Sequence, residues 1–450
     1  MSEKGLKMAQ VYRIISYETH PPILMLHSLT RRKLRLIGDH WTLRFGIQTM
    51  KITLQNCDFL SSHELIVSQS LIKRLRIPLE LSYELIRSKD ELILGPFIGI
   101  LGARSNKGLL ISLNHVKHYC RKYSSLNGLI IAFSLEGVNR KEQTITGYKY
   151  NPYANQWEPG LFSYPSSIFK ITDANKDWVD YFESVIGNRI FNSQGIDKWD
   201  MYLLLNKNPV IKPHLAETVL YQDINDLRSF LTRYENVFIK PLNSYGGHGI
   251  LRVAKLKGQL TLSKTYRQHH RKSFDNTDHL LKKIKKKINK AKYIIQKGID
   301  LFSYNGSPID FRIIMVKNQR GKWSETGFVA RFGEADSIVT NISAGGIAES
   351  GDAALRSKMN LTKKEAASVK QRMFSLAFEA CRCIDGYGNY GNLGIDMAID
   401  KEGHLWIIEV NNNNPDPTIA LDMGNKKLFK KIVLTNMLYA KRLAGFSEMN

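Results

Sequence analysis

Near the end of a 450-residue chain, Asp396, Glu409 and Asn411 lie on two apolar runs that read as a hairpin, Gly394–Asp400 and Leu405–Asn411, around Lys401-Glu402-Gly403-His404. In an extended strand, residues two apart project from one face, so Glu409 and Asn411 point the same way and Asp396 on the neighbouring strand can lie beside them. Two carboxylates and an amide oxygen so placed repel one another unless a cation sits among them. Few, hard, oxygen-bearing ligands suit Mg²⁺, which keeps waters and shares phosphate oxygens. The plain alternative is a solvent-facing hairpin with a polar outer side. The run Asn411-Asn412-Asn413-Asn414 before Pro415 favours the metal reading, because four amides leaving a buried strand exceed what solubility asks.

A second group sits upstream, in Lys240-Pro241-Leu242-Asn243-Ser244-Tyr245-Gly246-Gly247-His248-Gly249. A lysine at a strand end supplies a point charge for phosphate. Gly246, Gly247 and Gly249 let backbone N–H groups approach phosphate oxygens without Cβ clashes. This is not a P-loop, since the lysine precedes the glycines and no Gly-Lys-Ser/Thr follows; a hairpin turn would look similar. Lys198 falls in the first turn of a helix that Asp197 can cap. Arg312, in Asp310-Phe311-Arg312, and Arg331 fall on strand-like runs, with Asn341 beyond. Guanidiniums on adjacent strands suit bidentate grip on phosphate or carboxylate, or each pairs with a surface acid.

These residues need a scaffold. The first 95 residues read as β-rich, with short runs at Lys51–Gln55 and His63–Val67. Phe97–Gly102, a helical stretch near Ser112–Tyr123, and Leu129–Phe133 give a strand-helix-strand pattern, so a small α/β unit is expected over 96–190. Beyond lie strands at Val237–Lys240, Tyr293–Gln296, Phe311–Val316 and Gly327–Arg331. A helix is expected from Thr362-Lys363-Lys364-Glu365, a capping box, to a stop before Gly386. The expected units are therefore 1–95, 96–190 and 191–450.

Composition bounds the partners. The chain is 43% hydrophobic and 24% charged, and no apolar run approaches the roughly 20 residues of a membrane span. No apolar core of signal-peptide length follows Met1, and four cysteines lack paired spacing, which fits a reducing cytoplasm. Cys381 and Cys383 read as buried thiols within a helix. The net charge of +24 attracts anionic polymers. Its densest block, Lys282–Lys290, has Leu281, Ile284 and Ile288 at helical spacing, so it reads as one amphipathic helix with a solvated basic face, a polyanion site being the other reading.

In order along the chain, these elements resemble the ATP-grasp superfamily. The resemblance spans about 190–445: Lys198, Lys240 with its Gly-rich loop, a hinge at Gln296-Lys297-Gly298-Ile299, Asp310 and Arg312, Arg331, Asn341 before Gly345-Gly346, and Asp396 with Glu409 and Asn411. More narrowly, Leu94-Gly95-Pro96-Phe97-Ile98-Gly99 and Gln296–Leu301 resemble the YheC/YheD group, spore-coat-associated proteins of endospore-forming bacteria. The resemblance implies an α+β ATP-grasp fold, two subdomains clamping ATP, behind a small α/β pre-ATP-grasp domain and a β-rich N-terminal segment. It implies Mg²⁺ on Asp396, Glu409 and Asn411, with ATP held by Lys198, Lys240, Gly246, Gly247, Gly249, Gln296, Lys297, Gly298, Ile299 and Asp310. Catalytic roles fall to Arg331, Arg312 and Asn341 in a carboxylate–amine ligase, a spore-coat or spore-forming setting, and coat proteins as partners. The chain departs from that pattern at Lys297, where many ATP-grasp ligases have Glu.

Overall fold

The computed structural model describes residues 10–244, 246–256, 259–264, 271–288, 292–334, 340 and 345–446. Strands β1 (Val11–Tyr17), β2 (Ile23–Leu26), β3 (His40–Phe45), β4 (Gln48–Asn56), β5 (Glu64–Ser68), β6 (Ser82–Ser88) and β7 (Glu91–Gly95) close a barrel in the order β1-β5-β2-β4-β3-β7-β6, with β1 bonded to β6 at the seam. Alternation drives the closure: along β3, Trp41, Leu43 and Phe45 are buried, and the side chains between them are not. The expected runs at 51–55 and 63–67 fall in β4 and β5, the latter starting one residue late.

A second sheet holds β8 (Phe97–Ala103), β9 (Leu129–Asn139), β10 (Thr144–Asn151), β11 (Gln156–Ser163), β12 (Ser167–Lys170) and β13 (Ile190–Phe191), in the order β11-β10-β9-β8-β12-β13. Strands β9, β8, β12 and β13 run parallel and are covered on both faces, hence their unbroken apolar character. Phe97 and Leu101 join the barrel core, whereas Ile98 and Ile100 pack with the C-terminal helix Lys426–Leu443. Between β8 and β9 the helix Asn106–Val116, continued by a 3-10 turn at Lys117–Cys120, covers most of the expected 112–123 but starts earlier, because the Ser105 side chain caps it by accepting from Gly108 N at 3.1 Å.

The third sheet is antiparallel: β14 (Thr218–Leu220), β15 (Asn236–Pro241), β16 (Leu251–Leu256), β17 (Gln259–Lys264), β18 (Arg271–Phe274) and β19 (Tyr293–Lys297), in the order β14-β19-β15-β16-β17-β18. Helices Ile224–Arg233 and Thr277–Lys285 bury Leu227, Phe230, Leu280, Leu281 and Ile284 in the core this sheet shares. The basic helix is displaced from the expected 282–290. Asn276 caps it, accepting from His279 N at 2.9 Å, and it ends at Lys285, while Leu281, Ile284 and Ile288 are buried as their spacing predicts.

The fourth sheet, also antiparallel, comprises β20 (Ser303–Tyr304), β21 (Ser307–Lys317), β22 (Trp323–Phe332), β23 (Ile347–Ser350), β24 (Asn392–Ile399) and β25 (Leu405–Asn411), ordered β23-β22-β21-β24-β25 with β20 beside β21. Helix Lys363–Asp385 packs on it through Met373, Leu376, Ala377, Ala380 and Cys381, and Thr362 with Glu365 forms the expected capping box. Cys381 is buried as expected, but Cys383, two positions round the helix, is only partly so. Among the described residues, no helix is long and apolar enough to cross a membrane.

Candidate functional site

A cleft of about 1240 Å³ lies between the third and fourth sheets and reaches the segment after β12. Its metal-ligand candidates come from a strand pair. In the β24–β25 ladder Asp396 opposes Glu409 directly and Gly394 opposes Asn411, so the three side chains form one patch, with a bulge between Asp396 and Met397. Asp396 is 3% exposed. Both its oxygens are held by guanidiniums: Arg312 forks onto it, with Nη2 at 2.8 Å from Oδ2, and Arg331 Nη2 reaches Oδ2 at 2.9 Å. Burial alone would raise the pKa of this carboxyl, but Arg312 and Arg331 outweigh burial and hold it below its ordinary value.

Arg331 is shared. Its Nε donates to Asp310 Oδ1 at 2.7 Å and its Nη2 to Asp310 Oδ2, where Thr340 also donates. Strand register explains this, since Asp310 stands opposite Arg331 and Arg312 opposite Asp396. The arginines thus pair with acids, as one of the two sequence readings has it, but the acids are buried ones. Arg312 and Arg331 also line the cleft, whereas Asp310 and Asp396 stand behind them.

Oxygen donors for a cation survive this pairing. Among the described residues, Oδ1 of Asp396 accepts from Arg312 Nε alone and Oδ2 takes the other donors, so within that set Oδ1 has a lone pair to offer. Glu409, 38% exposed at its side chain, meets Lys198 Nζ at 3.3 Å and opens to the cleft. The Asn411 amide nitrogen donates to Asp396 Oδ2 at 3.2 Å and to Gly394 O at 3.3 Å, which leaves its carbonyl oxygen for a ligand. Among the described residues no group of three or more His, Cys, Asp or Glu is placed to hold a metal. Two carboxylates and an amide nevertheless fit a hard cation that completes its shell with water and phosphate.

The opposite wall comes from the third sheet and the helix Lys198–Asn206. Asp197 caps that helix, accepting from Trp199 N and Asp200 N at 2.9 and 3.0 Å, and so fixes Lys198 in the first turn. Lys198 Nζ donates to Ser244 O at 2.8 Å. Lys240 Nζ donates to Gln296 Oε1 at 2.7 Å, and Gln296 Nε2 to Thr218 Oγ1 at 2.9 Å. Burial pushes the Lys240 ammonium down to about 8, with Glu409 opposing the shift and Lys198 adding to it. Gly246, Gly247 and Gly249 have φ of +63°, +78° and +75°, left-handed values that glycine adopts without strain. Of the three, Gly246 lines the cleft.

Other expected residues fall elsewhere. Lys297, Gly298 and Ile299 are not among the lining residues. Lys297 Nζ lies 5.4 Å from the Tyr234 ring centroid, on the strand face away from Gln296, so its departure from Glu puts no new side chain beside Lys240. Asn341 and Tyr245 lie outside the described residues.

The asparagine run does structural work that the sequence reading missed. Only Asn411 belongs to the candidate patch with Asp396 and Glu409. Asn412 clamps Ile196, accepting from its N at 3.0 Å and donating to its O at 2.9 Å, which sets the entry to the Lys198 helix. Asn413 accepts from Lys170 Nζ at 2.8 Å, and Asn414 accepts from Asn392 at 3.0 Å. Lys170, at the end of β12, is 1% exposed, and burial pushes it down to about 8 against the pull of Asp173. Nothing in sequence spacing marks Lys170 or Thr218; a charged residue closing the apolar run Ser167–Lys170 was the one available cue.

A family model described as YheC/D like ATP-grasp matches residues 187–443. The endospore coat-associated protein YheD of Bacillus subtilis (strain 168) is 26% identical over 370 residues, covering 77% of this chain and 79% of that protein. YheC, from the same organism and also described as endospore coat-associated, is 28% identical over 220 residues, covering 48% of this chain and 59% of that protein. Among solved structures, the VanG D-Ala:D-Ser ligase of Enterococcus faecalis aligns with a TM-score of 0.45 and 11% identity, over 76% of this chain and 98% of that one. With the family's match running from just ahead of Lys198 to the end of the C-terminal helix, across both walls of the cleft, the chain belongs to the YheC/D-like ATP-grasp family and has its α+β fold.

Proposed function

We propose that this chain is a Mg-ATP-dependent ligase that joins a carboxylate to an amine, working in the cytoplasm of a spore-forming cell and associated with its spore coat. The observation that carries this reading is the convergence, in one cleft, of Lys198, Lys240, Arg312 and Arg331 with the oxygen donors Glu409 and Asn411. Asp396, Glu409 and Asn411 would hold Mg²⁺, which supplies charge neutralisation between phosphate oxygens. Lys198 and Lys240 bind the polyphosphate as point charges, and Gly246 brings backbone close to it. Gln296 and Thr218 orient Lys240.

In the first step a carboxylate oxygen attacks the γ-phosphorus, the bond to the β-phosphate oxygen breaks, and ADP leaves. Arg331 and Arg312 face the charge that develops on the transferred group, already oriented by Asp310 and Asp396. In the second, an amine attacks the acyl carbon, loses a proton, and phosphate departs. Positioning and electrostatics carry such a reaction, so no activated nucleophile is required of the chain. The division into units 1–95, 96–190 and 191–450 belongs to the same proposal, with the middle unit contributing acceptor-side residues such as Asp173 and Asn175.

A second reading is a nucleotide-binding coat component without turnover. It is favoured by the two relatives' descriptions, which name a location and no reaction. Calorimetric titration of Mg-ATP into wild type and Glu409→Ala, with ADP release followed in the same samples, separates the readings. Binding lost in the variant, with ADP release stimulated by amine-bearing acceptors, supports the ligase. Binding without release under any acceptor supports the coat component, and no binding in wild type overturns both.

A further inference from the structure

The third sheet carries a feature that nucleotide binding does not use. On the face covered by helix Thr277–Lys285, Lys264 stands two residues after the buried Leu262 of β17, and Lys272 of β18 is the register partner of Leu262. Strand alternation puts Leu262, Lys264 and Lys272 on one face, so both lysines emerge where the apolar cover ends. Lys283 lies on the helix and Lys287 in the turn that leaves it, and Lys264, Lys272, Lys283 and Lys287 are all exposed. They are close enough for Lys287 to be pushed down by burial and then by Lys264, Lys283 and Lys272 in turn. Lys282, Lys285 and Lys286 extend the charge along the exposed side. Among the described residues, the one ion pair at this helix is Asp278 with Arg228, near its start, and none of these seven lysines has an acid within ion-pair distance.

Beside this face lies an open edge. Strand β18 ends the sheet order, and among the described residues only β17 pairs with it. The backbone groups of its outer side are a template for another strand, and edge cations keep neutral strands away while attracting acidic ones. Helix-dipole compensation accounts for some of the lysines in the last turn, but not for Lys264 and Lys272 on strands.

We infer that the lysine face and the open edge of β18 together dock an extended acidic polypeptide segment. Two observations favour a peptide over nucleic acid. The charges are lysine ammoniums on a sheet with no exposed large apolar or aromatic side chain among its described residues, so no platform for base stacking is offered. The open strand edge presents peptide-spaced hydrogen-bonding groups, which a nucleic acid cannot match.

The test uses the full chain and fluorescence anisotropy with a labelled poly-glutamate peptide, the same peptide N-methylated at alternate residues, and oligouridylate of equal charge, all at matched ionic strength. Poly-glutamate is expected to bind, and Lys283→Glu with Lys287→Glu to weaken it roughly tenfold or more. Mg-ATP affinity retained in that variant shows that the sheet is intact, and Lys283→Gln with Lys287→Gln should give an intermediate loss. N-methylation should also weaken binding. Equal or tighter binding of oligouridylate, full affinity for the N-methylated peptide, or no effect of the charge reversals would each overturn the inference.

Discussion

Lys240 and Gln296 meet diagonally across the β15–β19 ladder. In register Lys240 opposes Ile294 and Gln296 opposes Phe238, yet the ammonium donates to Gln296 Oε1 at 2.7 Å. The amide neutralises nothing; it satisfies one donor of a partly buried cation that, among the described residues, makes no direct ion pair. Burial therefore dominates, and the pKa of Lys240 stands near 8, where an exposed lysine would be near 10.4.

A pH dependence follows from that value. Below about 8 the ammonium is charged and ready for phosphate; above it the charge is lost before the nucleotide arrives. A bound polyphosphate favours the charged form and raises the pKa, so binding near pH 8 takes up a proton. Mg-ATP affinity should weaken as pH rises from about 7 to about 9, more steeply in wild type than in Lys240→Met. Titrations in two buffers of different ionisation enthalpy measure the uptake, and an equal proton count in wild type and variant would refute the role given to Lys240.

Glu409 and Asp396 oppose each other in one ladder but should respond differently to mutation. Asp396 is buried between Arg312 and Arg331, so Asp396→Asn leaves guanidinium charge uncompensated and should cost about 3 kcal/mol of stability. Glu409 is partly exposed, with a 3.3 Å contact to Lys198, and Glu409→Ala should stay within about 0.5 kcal/mol of wild type. Denaturant melts check the contrast. Both variants should lose Mg-ATP binding, but only Glu409→Ala reports on the ligand alone.

The site was legible in the sequence where its residues are local to a strand or helix end. Glu409 with Asn411, the Asp197 cap and the Thr362 box each depend on spacings of two or three residues. Register was not legible: the sequence puts Arg331 on a strand next to Asp310 but says nothing of which residue it faces. Contacts between distant segments were hidden as well. Lys170 reaches Asn413 across 243 positions, and the barrel closes by pairing β1 with β6, neither of which leaves a periodicity to read. The same gap misassigned the asparagine run, whose partners lie mostly on other segments.

Asn412 is 7% exposed, and both ends of its amide are bonded to the Ile196 backbone, one residue ahead of the cap of the Lys198 helix. Asn412→Ala removes two hydrogen bonds and leaves a buried N–H and C=O unsatisfied, a cost of about 2 kcal/mol. Because Ile196 leads directly into Asp197 and Lys198, the loss should reach the nucleotide as well. Affinity for Mg-ATP should fall by roughly tenfold in protein that remains folded. Asn412→Asp keeps the acceptor for Ile196 N but turns an oxygen toward Ile196 O, so it should rescue neither property. Calorimetry on the two variants beside wild type reads both effects, and unchanged affinity in a destabilised Asn412→Ala would confine the clamp to folding.

Lys170 gives the last expectation, and its sign is set by burial. The folded-state pKa is about 8 and the unfolded value about 10.4, so between these values the unfolded chain binds the extra proton. Stability should therefore rise with pH across that window and be flat in this residue's contribution below it. Lys240 contributes in the same direction, so wild type should show the sum of two such rises and Lys170→Met only one. A fall from the ordinary lysine value to about 8 corresponds to roughly 3 kcal/mol at full development, an upper bound for a group that still donates to Asn413 and to Thr172 O. Urea melts of wild type and Lys170→Met at pH values on either side of the window should diverge at the lower and converge at the higher. Parallel pH profiles would mean that the Lys170 ammonium is better compensated than its surroundings indicate, with Asp173 the group to examine.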